Sequence, residues 1–493
     1  MGFGVSALSL VGAITTSPTS IAVIGSLLLV ANLAGWFPGV ANDDSDSQYV
    51  QAVAENFTDW HPPIMAWLWS NFRLLADGNG PMFCFHVACY WLGFGLIAVA
   101  LSRAGRPLAA WGIIGVGLFP PFLMMNINIL KDVGLAVTFL AAFAALFRYR
   151  VQERRAPAVV IVISSVLLCY GTLVRTNAVF GVVPLLAYLI DPRWLSRPWR
   201  VLVFSAPVAV LMVPVSDLFN HNVLNATPVR IVRSLEIFDM TGIAFYSGDL
   251  SVFGAGDSFT PQEVGSCYTP IGWDNLSPWG KCRFFWNRLA ISRDLGEVEK
   301  LTPMDAMVAP PNLDLTSHWV ASIVAHPLDY ARHRLVHFCS EIYFLGQLEP
   351  GNVVAGAPKS EETHAGSTLL ILQDSPYLML YDVLKTPAFS LAIGVCLLLL
   401  LASTNSPRHP AGREAALALV MSGLLYTCAY LMVGVAADFR YQFWSMVATF
   451  TALVISISGV GVPYANEFRV QDFHVRTELA NPTSAKASRE ANS

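Results

Sequence analysis

Five short stretches place acids, bases and cations where chemistry could be done. Asn42-Asp43-Asp44-Ser45-Asp46 sets three carboxylates in one run, and Asp59-Trp60-His61-Pro62-Pro63 follows it closely. Lys131-Asp132, the lone Arg175 and Asp438-Phe439-Arg440-Tyr441 complete the set. Each lies near the edge of an apolar run, where an ionised side chain costs free energy unless it is paired or used. A carboxylate within hydrogen-bond reach of a hydroxyl can take its proton. Arg, Lys and His can hold a phosphate, Arg with two parallel hydrogen bonds. A base beside a phosphate clamp is the apparatus for group transfer from a phosphate-bearing donor.

Each stretch also has a plainer reading. The aspartates can end a span and cap the next helix. Trp60-His61-Pro62-Pro63 can be an interfacial anchor with a proline turn that starts a helix. Lys131 can pair with Asp132, and Arg440 with Asp438; Arg175 has no acid beside it in sequence and needs a partner from another helix. Metal chemistry has little support: His333 and His337 have helical spacing, but Arg332 and Arg334 flank them and repel a cation. No zinc-spaced ligand pair lies in a span, and no metal or other cofactor is expected; the one alternative left open is an oxygen-ligand divalent site built from the first-loop aspartates. No phosphate-binding Gly-Lys-Ser/Thr loop or dinucleotide fingerprint is present, which argues against ATP and NAD chemistry.

The elements that must position these residues follow from composition. Of 493 residues 54% are hydrophobic and 13% charged, the latter about half the usual share. Mean hydropathy is +0.52, and the apolar residues come in blocks of about 20, enough to cross ~30 Å of hydrocarbon as a helix. The expected fold class is therefore all-α, polytopic and membrane-embedded. A net charge of −4 offers no basic patch for nucleic acid. About ten spans are expected, roughly 20–37, 82–101, 108–126, 132–147, 157–174, 177–190, 201–217, 387–403, 414–436 and 442–461. The apolar start, Met1 to Ile14, lacks the basic residues of a signal peptide and reads as a lead-in to an uncleaved first span.

Charge orients them. Arg103 and Arg106, then Arg148 to Arg155, then Arg193 to Arg200, then Arg408 and Arg413 mark alternate loops, which the positive-inside rule places in the cytoplasm with both termini. Asp44, Asp46, His61, Lys131, Asp132, Arg175, Arg440 and Tyr441 then share the outer side. The expected layout is a seven-span module over 1–217 with an outward first loop at 38–81 carrying juxtamembrane helices. A large outward region spans 218–386, a three-span module 387–461, and a disordered cytoplasmic tail 462–493. Within the large region Cys267 and Cys282 share a polar loop and can bridge in an oxidising compartment, and His326 to Leu348 reads as an amphipathic helix grazing the bilayer.

An acidic first outward loop ending in His61-Pro62-Pro63, seven spans, and then a large outward loop resemble the C-type (GT-C) integral-membrane glycosyltransferases. Within them the likeness is to the branch of protein O-mannosyltransferases and lipid A aminoarabinose transferases, over roughly residues 20–460. The resemblance implies a first-loop base, here Asp44 or Asp46, and a donor phosphate near His61. Asp132 matches a second acid of the family's pattern, and Lys131, Arg175, Arg440 and Tyr441 would serve at the donor phosphate. The family's Asp-Glu followed by Arg-Tyr is absent, which leaves the base ambiguous between the two aspartates. It also shifts the expected acceptor from protein towards lipid or polysaccharide.

The expectation is an inverting glycosyltransferase in a bacterial inner membrane, its site facing the periplasm, moving a sugar from a polyprenyl-phosphate carrier to an acceptor hydroxyl. The alternatives are a transporter or flippase of a lipid-linked or anionic substrate, and an oligosaccharide polymerase or ligase using a pyrophosphate-linked glycan.

Overall fold

The computed structural model describes residues 17–254, 259–290, 306–307, 315–342, 383–403 and 410–460. The lead-in before Ser17, Arg408, residues 343–348 of the expected amphipathic helix and the tail from 462 lie outside them. All regular elements among the described residues are helical, joined by three isolated β-bridges.

The first half comprises α1 (Pro18–Trp36), α2 (Asp43–Ala54), α3 (Ile64–Phe72), α4 (Gly80–Arg103), α5 (Pro107–Gly117), α6 (Pro120–Asn126), α7 (Lys131–Arg150), α8 (Ala158–Leu173), α9 (Ala178–Ile190) and α10 (Pro198–Leu218). There follow α11 (Val232–Ser247), α12 (Pro261–Cys267), α13 (Phe284–Ala290), α14 (Leu315–Ala325), α15 (Pro327–Glu341), α16 (Pro387–Ser403), α17 (Pro410–Val433) and α18 (Phe443–Ser458).

Six of the described helices are long and apolar enough to cross a membrane, so the chain can span one several times. The expected count of ten is not reached on that measure. Residues 108–126 were expected as one continuous span but form α5 and α6, bent by 55°. Pro120-Pro121 is the cause, because a proline removes a helical hydrogen bond and pushes the residue before it into extended backbone; Phe119 has ψ 122°. With 16, 13 and 17 residues, α8, α9 and α16 are apolar but shorter than the ~20 residues of a straight perpendicular span.

The bundle is centred on α7, sixteen of whose twenty residues are buried. It packs on α4, α8 and α18, while α17 packs on α18, α9 and α16. Close approach is bought with small residues, as in many membrane helix pairs: a Cβ on Gly171 would lie 2.7 Å from the Phe139 ring. A second core gathers Phe238 and Ile243 of α11 with Phe253, Trp273, Phe285 and Trp286. The Cys267–Cys282 disulfide closes its loop.

The helix expected from His326 is present as α15, with Leu328 and Leu335 exposed on one face and its polar face packed inward. Its His333, Arg334, His337 and Glu341 are buried, and Asp239 of α11 meets both His333 (3.1 Å) and Arg334 (2.5 Å).

Candidate functional site

The loop after α1 is fixed at three points. Val40 pairs with the strand-like stretch before α7: its N–H donates to Ile127 O and its carbonyl accepts from Ile129 N–H, both at 2.9 Å. Asn42 caps α2 by accepting from Ser45 N–H at 3.1 Å, and the Ser45 hydroxyl donates to Ile129 O. This holds the first turn of α2, with Asp44, against the residue two before Lys131. Further on, Thr227 N–H donates to Phe57 O at 2.8 Å and Val229 N–H to Asp59 Oδ1 at 2.5 Å, so the residues after α10 fix the approach to His61. The two prolines after His61 then start α3 at Ile64.

Three of the other four stretches converge on Asp44. Arg440 donates to its Oδ2 at 2.9 Å, Lys131 Nζ lies 3.6 Å from the same oxygen, and His61 Nε2 lies 3.8 Å from Oδ1. Lys131 Nζ is 2.6 Å from His61 Nδ1. A protonated lysine can only donate, so Nδ1 is the acceptor and the imidazole hydrogen sits on Nε2, facing Asp44. Burial works against ionisation of Asp44, but Lys131, His61, Arg440 and Arg175 together hold its carboxyl well below the usual carboxylate range. Burial first, and then Lys131, push His61 down to about 3, so the imidazole is neutral at physiological pH.

A second layer holds the cations. Arg175 donates to Asp132 Oδ1 at 2.7 Å and to the Tyr430 hydroxyl at 3.2 Å, and its guanidinium lies 4.5 Å from the Tyr441 ring centre. Asp132 thus serves Arg175 rather than its sequence neighbour Lys131, and Arg175 has the cross-helix partner it needs. Arg440 also meets Asp438 at 3.0 Å and donates to the Tyr441 hydroxyl at 3.3 Å. Glu341, from α15, accepts from Gln442 at 2.8 Å and from Asp438 N–H at 3.3 Å. Burial raises the Glu341 carboxyl to about 8.

Asp46 stands apart. It is exposed on α2, about 200° around the helix from Asp44. Asp43 is exposed too, and the cations around Asp44 would repel a metal ion. Among the described residues no group of three or more His, Cys, Asp or Glu side chains could hold one.

Sequence reasoning missed the residues that complete the site from the later half of the chain. Tyr430 and Tyr426 belong to α17, their hydroxyls 3.1 Å apart; buried hydroxyls four residues apart in a span were a readable signal. Trp60 packs with Trp273 and Trp279, ring centres 5.8 and 5.6 Å away, and Trp279 is half-exposed beside them. Trp273 N–H donates to Val435 O at 2.9 Å, pinning this loop to the segment that carries Arg440. Burial raises the carboxyl of Asp274, next to Trp273. No family model, curated protein or solved structure matches this chain.

Proposed function

We propose that the chain is an inverting membrane glycosyltransferase of the C-type kind, using a polyprenyl-phosphate sugar at the outer membrane face. The observation that carries the reading is the meeting of one ionised carboxylate, Asp44, with Lys131, Arg440 and a neutral His61 at one end of an apolar helical bundle.

Asp44 is the base favoured by position, since Asp46 faces away. Paired with two cations it is a poor base. A donor phosphate entering between Lys131 and Arg440 competes for both, and the freed carboxylate then binds a proton more readily. The acceptor hydroxyl gives its proton to Asp44 while its oxygen bonds to the anomeric carbon. The carbon–oxygen bond to phosphate breaks on the opposite face, and its electron pair leaves with the phosphate, whose growing charge Lys131 and Arg440 neutralise. Tyr441, stacked under Arg175 and accepting from Arg440, holds Arg440 in place, and the Arg175–Asp132 pair fixes the start of α7 that carries Lys131. Trp60 and Trp279 offer flat apolar faces for the C–H side of a sugar ring, which favours a glycan or glycolipid acceptor. The basic loops lie in the bacterial cytoplasm, the site faces the periplasm, and the bent pair α5–α6, with α8, α9 and α16, brings the six long helices to ten spans.

Purified protein with radiolabelled polyprenyl-phosphate sugar and a lipid or glycan acceptor should yield labelled product by thin-layer analysis. Asp44→Asn should lower kcat by about 10²–10⁴-fold, while Asp46→Asn stays near wild type. Full activity of Asp44→Asn removes the mechanism. Movement of the donor across a vesicle without bond cleavage replaces it with transport.

A further inference from the structure

The helices that carry the Asp44 site end, at their other extremity, around a cavity. Helix α7 begins at Lys131 in the site and ends about 30 Å away at Arg150. Helix α17 runs the opposite way, with Glu414 in its first turns and Tyr430 at the site. Between them and the ends of α8 and α9 lies a cavity of about 520 Å³, within the range of ligand pockets.

Its walls differ in kind. One carries Ile161 and Ile190, which are 41% and 77% exposed on the outer flank of the bundle, so this wall continues into the lipid-facing surface. The other carries Arg150, Glu153, Arg154, Arg155 and Glu414. Arg150 is committed: it donates to Leu189 O at 2.9 Å and lies over the Tyr188 ring. Arg154 and Arg155 are exposed. Glu414 is only 4% exposed, and no described residue makes a hydrogen bond or ion pair with its carboxylate. Arg150, Arg193 and Arg413 lie within electrostatic reach of it without bonding it; a buried carboxylate that no hydrogen bond satisfies is still costly, and this one lines a cavity whose exposed arginines also ask for an anion.

An occupant must therefore carry a phosphate, a cation able to donate hydrogen bonds, and apolar chains leaving towards the lipid. We propose that this cavity binds the headgroup of a phospholipid with a primary amine, its phosphate on Arg154 and Arg155 and its ammonium on Glu414. A trimethylammonium headgroup has no hydrogen to donate, and a glycerol headgroup has no charge to match Glu414. This site does not depend on the glycosyltransferase reading, because its readout is lipid binding.

The test is thermal unfolding of the delipidated full chain in detergent, titrated with phosphatidylethanolamine, phosphatidylcholine and phosphatidylglycerol of identical acyl chains, and separately with inorganic phosphate. The ethanolamine lipid should raise Tm with a half-effect concentration about tenfold below the other two, the value of one charge-assisted hydrogen bond. Phosphate alone at the same concentrations should do nothing. Glu414→Gln should erase the preference, so that the three lipids act alike. The doubly substituted Arg154→Ala/Arg155→Ala chain, altered only at exposed positions, should bind all three more weakly. Equal response of the wild-type chain to the three lipids overturns the proposal, as does a preference that survives Glu414→Gln. Stabilisation by phosphate alone overturns it in favour of a simple anion site.

Discussion

His61 and Glu341 are both buried beside charge, yet their protons respond to pH in opposite senses. His61 is pushed down to about 3 from 6.5, so between those values the unfolded chain binds more protons than the folded one, and stability falls as pH drops. Glu341 is pushed up to about 8 from 4.5; there the folded chain holds the extra proton, and stability falls as pH rises. Thermal unfolding of His61→Gln from pH 7 to pH 5 should therefore show a smaller acid loss than wild type. Glu341→Gln should match wild type near pH 5 and exceed it by about 1–3 kcal/mol near pH 8. Parallel curves for variant and parent would refute either assignment. The transfer reaction itself should show no titration of His61 in that interval.

At the scale of elements the weight falls on the pair joining α7 to the turn before α9. Asp132 is 2% exposed, and Arg175 is its charged partner at 2.6 Å. Removing one member of a buried pair typically costs 3–5 kcal/mol, because the other is left unpaired. Arg175→Ala should fall in that range by denaturant unfolding, whereas the double variant Asp132→Asn/Arg175→Gln should recover part of the loss. Additive losses would mean that the two do not act as a unit. The pair was only half legible beforehand. Lys131-Asp132 reads locally as an ion pair, but the first turn of α7 points Lys131 at His61 and Asp44 and Asp132 at Arg175. Neighbouring helical residues stand about 100° apart, so they serve different partners.

The whole molecule has two polar ends separated by the length of α7: Asp44 and its cations at one, Arg150, Arg154 and Glu414 at the other. Our reading puts them on opposite sides of a membrane. In a variant free of reactive cysteines, Asp77→Cys in the first outward loop should take a membrane-impermeant maleimide in intact cells. Arg154→Cys should take it only after lysis. Labelling of both in intact cells would place the two ends on one side.

What the sequence settled by itself was whatever depends on local composition: apolar blocks for helices, arginine-rich loops at one end, and polar clusters at the other. It offered Cys267 and Cys282, fifteen residues apart in one polar loop, as a candidate pair, and the tertiary structure closes the bond. It could not tell whether Asp44 or Asp46 meets the cations, since that depends on which side of α2 faces the bundle, and Ser45 bonding to Ile129 O turns Asp44 inward. Nor could it foresee Trp273 or Glu341 at the site, whereas Tyr430 and the bend at Pro120 left signals in the sequence. Contacts between residues hundreds of positions apart, such as Arg440 with Asp44, exist only once helices pack, and packing depends on side-chain shape along the entire interface.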